Sequence, residues 1–141
     1  MYGADGRTPL TLAASAGHED VVRQLLRLKD VDADSSDNAS RTPLSWTAGK
    51  GHEAVVRLLL GRGDVDANSS DSGGGTLLSW AAREGYEALV RLLLERDDVD
   101  AGSRDSGDRT PLSWAAREGH EAIVQLFAGW EGLLQRTRGS S

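Results

Sequence analysis

The chain has 141 residues, carries 16 basic against 22 acidic side chains for a net charge of −6, and contains no cysteine. Without cysteine there are no disulfides, zinc fingers, iron–sulfur clusters or thiol catalysis, and the acidic balance runs against general nucleic-acid binding, where phosphate must be neutralised by an excess of Lys and Arg. No run approaches the roughly 18 apolar residues of a membrane helix. Residues 1–10 have neither the basic start nor the apolar stretch of a secretory signal, so the expected setting is intracellular and cytoplasmic, with no membrane partner and no nucleic acid.

The sequence repeats. Thr8-Pro9-Leu10, Thr42-Pro43-Leu44, Thr76-Leu77-Leu78 and Thr110-Pro111-Leu112 recur at a constant spacing of 34 residues. A period between about 20 and 50 residues marks a solenoid, propeller or array. Four units follow, at approximately 5–38, 39–72, 73–106 and 107–136, forming one domain over 1–136 with a disordered tail expected at 137–141. In the first unit Glu19 stands four residues ahead of Arg23, the favourable order for an exposed helical pair. In the second unit Thr42 caps a helix whose first position is Pro43, where the missing N–H would have had no partner anyway. The spacing predicts a helix from about Pro43 to Lys50, a left-handed stop at Gly51, and a second helix over Glu53 to Leu60 ended by Gly61 and Gly63. Ala54, Val55, Leu58 and Leu59 form its buried stripe, Leu44 and Ala48 line the first helix, and Glu53 with Arg57 marks the outer face. The polar stretch Asp64 to Gly75 reads as an extended arm with a tight turn.

The third unit repeats the outer pair as Glu87 with Arg91, and in the fourth Trp130, Leu133 and Leu134 sit at helical spacing. The last helix is therefore expected to continue through them and fold over Phe127, with Gly129 and Gly132 as places for a bend. Helices of about eight residues are shorter than the roughly 12 to 15 needed for marginal stability alone, so neighbouring units must hold each pair. Trp46, Trp80 and Trp114 are expected to stack as a buried column between successive helix pairs. Gly49, which costs roughly 1 kcal/mol relative to Ala inside a helix, makes the second unit the softest.

Asp5-Gly6, Thr8-Pro9-Leu10, Leu12-Ala13-Ala14, Gly17-His18 and Val21-Val22, repeated in each later unit, resemble the ankyrin repeat from Asp5 to about Ala128. The resemblance implies an all-α solenoid of about four helix-turn-helix units with hairpin-like β-turn arms. The chain departs from the family pattern in its period, in Thr11, Ser45, Ser79 or Ser113 where His usually follows Thr-Pro-Leu, and in Trp46, Trp80 and Trp114 where Leu is customary. Leu77 also replaces Pro, Tyr86 replaces His, and Ala39-Ser40 stands where a Gly-containing turn is expected. With these tryptophans the subtype is similar to the ankyrin arrays attached to large fungal receptor-like ATPases of the innate-immunity type.

The chemical motifs fall short of catalysis. His18-Glu19, His52-Glu53 and His120-Glu121 begin like the zinc-protease motif, but the second ligand position holds Val22, Val56 or Val124, and a catalytic zinc needs three protein ligands. No Gly-x-Ser-x-Gly elbow exists, and Gly49-Lys50-Gly51 lacks the rest of a phosphate loop. Arg62-Gly63-Asp64 is too brief to read as an integrin motif, and Asp66-Ala67-Asn68 only echoes a hydroxylation context of the family. Three columns, Asp30/Asp64/Asp98, Asp32/Asp66/Asp100 and Asp37/Asp71/Asp105, are expected to bond turn backbone in Asx fashion rather than to hold a cation.

No enzyme activity, cofactor or metal is expected. The resemblance implies a scaffold for protein–protein recognition through the concave face of arm tips and first-helix ends. By alignment that face comprises Asn38, Arg41, Lys50, Ser72, Arg83, Glu84, Ser106, Arg109, Arg117 and Glu118. The charge at these positions concentrates recognition on units three and four. The other readings are a structural spacer or fragment of a larger multi-repeat receptor array without a partner of its own, and an unfamiliar catalytic arrangement. Uncapped ends also leave room for weak self-association.

Overall fold

The computed structural model describes residues 6–28, 30–38, 41–48, 50–62 and 64–139, with Ala48 and residues 131–139 described in backbone only. Among these residues eight helices follow one another: α1 Pro9–Ala16, α2 Glu19–Leu26, α3 Pro43–Ala48, α4 Glu53–Leu60, α5 Leu77–Glu84, α6 Glu87–Leu94, α7 Pro111–Arg117 and α8 Glu121–Gly139. They pair as hairpins, α1 with α2 through α7 with α8, and the first helices pack in series, α1 on α3, α3 on α5 and α5 on α7.

Each first helix begins at a threonine cap. Thr42, Thr76 and Thr110 accept from the backbone N–H of Ser45, Ser79 and Ser113, and their own N–H groups donate back to those serine hydroxyls at 2.9, 2.8 and 2.9 Å. A reciprocal box of this kind satisfies two helix-end donors at once, which is what serine does here at the position customarily held by His. The first helix of the second unit is described over Pro43–Ala48, and Lys50, expected as its last residue, lies in the turn that follows. Thr47 O accepts the N–H groups of Lys50 and Gly51, and Gly51, with φ +69°, is the left-handed stop expected there, at the same repeat position as Gly17 and Gly85.

The units lock at the turn after each first helix. Gly17 and Gly51 have φ of +76° and +69°, and a Cβ at either would stand 2.7 Å from the His52 ring or 2.8 Å from the Tyr86 ring of the next unit. His120 lies in the same way on Gly85, and its Nε2 is 2.9 Å from the Arg83 carbonyl oxygen. Glycine is thus required twice, for backbone conformation and for the ring of the following repeat.

Leu10, Leu44 and Leu78 from the first helices and Val22, Val56 and Val90 from the second are buried columns of the core, which continues through Leu59, Leu93, Ile123 and Phe127. The burial fades in the last unit, where Val124 is half-buried and Ala116 exposed, although Ala14 and Ala82 at equivalent positions are fully buried. At the other end the exposed large apolar side chains, Leu12 at 52%, Val21 at 46% and Leu28 at 55%, all belong to the first unit. The last helix continues, as expected, through Trp130, Leu133 and Leu134, and it extends past residue 136 to Gly139. Phe127 is buried and Trp130 half-buried, while the side chains of Leu133 and Leu134 lie outside the described residues.

Candidate functional site

The arms supply the site's framework. Asp37, Asp71 and Asp105 each donate their N–H to the carbonyl oxygen four residues on, at Arg41, Gly75 and Arg109, over 2.9 to 3.0 Å. In each of these residues Oδ1 accepts from the turn: Asp37 from Arg41 N at 3.0 Å, Asp71 from Gly73 N at 3.0 Å and Gly75 N at 2.9 Å, Asp105 from Gly107 N at 2.9 Å and Arg109 N at 3.0 Å. This is the Asx geometry expected of the column. The other oxygen, Oδ2, accepts the indole N–H of Trp46, Trp80 and Trp114 at 2.9, 3.0 and 2.8 Å, always nine residues ahead. The amide of Arg109, together with the Trp114 indole, holds the Asp105 carboxyl below its ordinary value.

These bonds correct the expected tryptophan column. Trp114 is buried as expected, at 9% exposure, whereas Trp46 and Trp80 are only half-buried, and all three bond the arms through their indole N–H. The interior is filled instead by Leu44, Thr47, Leu78, Ala81, Ala82 and Ala115. An indole carries one N–H that needs an acceptor when it leaves water, and the aspartate nine residues earlier is that acceptor. The pairing was visible in the sequence as a constant offset between Asp and Trp in three units.

The indole faces carry arginines. Arg7 and Arg41 lie 4.1 and 4.8 Å from the Trp46 ring centre, and Arg109 and Arg117 lie 4.6 and 5.6 Å from that of Trp114. Arg83 spans two units, 5.1 Å from Trp80 and 4.5 Å from Trp114. Such stacking orders a guanidinium while leaving its N–H edge available. Among the described residues the side chains of Arg41, Arg83, Arg109 and Arg117 enter no hydrogen bond or ion pair.

Between the arms and first helices lies an open groove of about 590 Å³, lined by Arg41, Arg83, Arg109 and Trp80 and by the arm segments around Ser72 and Ser106. A smaller depression of about 120 Å³ lies between Trp46 and Trp80, with Arg41 and Lys50 at its edge. Of the residues read from the sequence, Arg41, Ser72, Arg83, Ser106 and Arg109 therefore come together, and Lys50 joins Arg41 in the smaller depression. Arg117 is placed over Trp114, and the exposed Asn38, Glu84 and Glu118 line neither space. Asp71 and Asp105, read from the sequence as turn carboxylates, and Gly73 and Gly75 of the arm also line the larger groove.

The remaining acidic columns are occupied locally. Asp64 pairs with Arg62 at 3.0 Å and Asp98 with Arg96 at 2.8 Å, and the Arg96 contact holds the Asp98 carboxyl below its ordinary value. Asp32, Asp66 and Asp100 accept from backbone N–H groups two residues on at 2.9 to 3.0 Å. The Asn68 amide bridges to the next arm, donating to Asp98 O at 2.6 Å and accepting from Asp100 N at 2.7 Å. Arg62 and Asp64 of the tripeptide motif bond each other, and no helix of the described residues is long and apolar enough to cross a membrane.

A family model described as ankyrin repeats (3 copies) matches residues 1–71 and again 64–132. No curated protein matches the chain.

Proposed function

Because the chain belongs to the ankyrin-repeat family, whose members generally mediate protein–protein interaction, we propose that it is a non-catalytic scaffold gripping a partner protein in the groove of its arms and first helices. The observation that supports this reading is the set of ordered guanidinium groups, Arg41, Arg83 and Arg109, whose donors are unspent around a groove of about 590 Å³. No turnover and no cofactor enter this reading. The imidazoles of His52 and His120 are wedged against the turn glycines of the preceding units.

A second reading, a spacer within a longer receptor array of the Trp-containing subtype, is favoured by the last turn. Gly119 repeats the left-handed conformation of Gly17, Gly51 and Gly85, but nothing among the described residues lies within 4 Å of the space its Cβ would take. The two readings part in a capture experiment using the intact chain. Reversing the charge of Arg83, Arg109 and Arg117 together is expected to weaken a captured partner by about tenfold or more, ~1.4 kcal/mol, with thermal unfolding nearly unchanged. Loss on altering Glu53 or Arg57 instead places the function on the outer face, and no specific capture supports the spacer.

A further inference from the structure

The repeat makes its own exception at the centre of the groove. At the arm position that ends the turn, the chain has Arg7, Arg41, Gly75 and Arg109 in successive units. Arg41 and Arg109 lie on the tryptophan of their own unit, whereas the third unit has no side chain to lay on Trp80, and a Cβ at Gly75 would stand 2.7 Å from the Trp80 Nε1. The residue that bridges to the next indole, Arg83 in the third unit, is likewise replaced by glycine at position 49 in the second. Among the described residues Trp80 thus lacks those two covers, keeping only Arg83 of its own unit at 5.1 Å, and forms the floor between the two depressions.

The charge of that rim has a direction. Asp71 and Asp105 also line the groove, but each already accepts three N–H bonds, two from its turn and one from an indole. Their lone pairs are largely spent, while Arg41, Arg83 and Arg109 present guanidinium donors that no carboxylate of the described residues occupies. Charge-assisted bonds to carboxylate are what such ordered forks form best. The chain as a whole is at −6, which repels a long polyanion but not a short acidic segment confined to the groove.

We infer that the groove over Trp80 receives an acidic peptide segment of a partner protein, its Asp or Glu carboxylates bonded by Arg41, Arg83 and Arg109 in the space that Gly75 leaves open. This rests on the concave-face reading proposed above and names the chemistry of its partner.

The test uses the full chain, an acetylated glutamate-rich decapeptide and a lysine-rich decapeptide of equal length, followed by calorimetry and tryptophan emission. The glutamate peptide is expected to bind saturably, with a change in emission, and to weaken on going from low salt to about 0.15 M, where the Debye length is ~8 Å. Its affinity should fall by about tenfold or more in the Arg41→Gln/Arg109→Gln pair. Gly75→Arg, which fills the groove and displaces the Trp80 ring that its Cβ would meet at 2.7 Å, and Arg83→Gln should also weaken it. The outer-face pair Arg57→Gln/Arg91→Gln should bind as the unaltered chain does. Helical circular dichroism and the unfolding midpoint show that each variant folds, and the three independent groove variants keep the test open if one does not. Absence of saturable glutamate binding, tighter binding of the lysine peptide, or affinity unchanged by all groove variants overturns the inference. Binding of the lysine peptide that does respond to the groove variants leaves the concave face standing and removes only its acidic chemistry. Peptide binding that responds only to the outer pair removes the concave reading as well.

Discussion

Arginine occurs on both sides of this solenoid, in two different states. On the outer helices Arg23, Arg57 and Arg91 bond Glu19, Glu53 and Glu87 at 2.8, 2.9 and 3.1 Å, each four residues earlier on the same helix. On the inner side Arg41, Arg83 and Arg109 rest on indole faces and, among the described residues, form no ion pair, although Arg109 is near enough to Asp105 to attract its charge. An outer arginine is neutralised where it stands, so it contributes a little stability and little recognition. An inner one is held by a ring rather than by an anion, so its conformational freedom is restricted before any ligand arrives, and that lowers the cost of binding. What separates the two groups is the partner each finds at short sequence distance, glutamate in one case and tryptophan in the other.

The strongest way to break this comparison is to remove an indole. Trp114, the most buried of the three repeat tryptophans, is expected to cost about 3 kcal/mol on Trp114→Ala by urea unfolding, and the half-buried Trp80 less. Equal losses at both positions would mean that the rings serve as core rather than as platforms. Next in size is the acid that anchors the ring. Asp105→Asn keeps the shape but gives up charge-assisted bonds, with an expected loss of about 1 to 2 kcal/mol at neutral pH. The sign with pH follows from its depressed folded value. Its contribution is present above the ordinary carboxylate value of 3.8 and is lost as pH falls through the lower folded value. Acid unfolding of Asp105→Asn should therefore be flatter in that window than that of the unaltered chain. Asp34 works in the opposite direction, because burial raises its value and its carboxylate opposes folding until it is protonated. A third measurement, hydrogen exchange, should find the amides of α3 less protected than those of α5, because the sequence has glycine at position 49 where the third unit has Arg83. The smallest effect is on the outer face, where Arg57→Gln and Arg91→Gln should each cost about 0.3 kcal/mol, screened by salt. A cost above about 1 kcal/mol there would erase the distinction between the two sides.

The helix pairs were legible because each carries its own punctuation. Thr42-Pro43 and Glu53 to Leu60 mark where α3 and α4 begin, and the constant period transfers that reading to every unit. The tryptophans were misplaced for a physical reason: their size suggested core, and the need of each indole N–H for an acceptor was not followed to the aspartate nine residues before it. Half of the candidate site came through by alignment, since Arg41, Ser72, Arg83, Ser106 and Arg109 do converge. The groove itself was not legible, because it arises from contacts between units. Arg7 reaches the tryptophan of the second unit and Arg83 that of the fourth, distances that no local pattern encodes. Gly75 could have been noticed as the one break in a column of arginines, but its meaning depends on where the Trp80 ring lies.

The ring that sits on each turn glycine acts as a spacer that joins one repeat to the next. His52 and His120 fill two of these places with an imidazole and Tyr86 fills the third with a larger phenol. Both kinds of ring close to within 2.7 to 2.8 Å of the place the glycine Cβ would take, so the larger phenol fills the joint between the second and third units without standing farther off. The joints of the inner surface are accordingly secured at positions that line neither depression, and exchanging Tyr86 for His would alter one joint while every groove residue kept its identity.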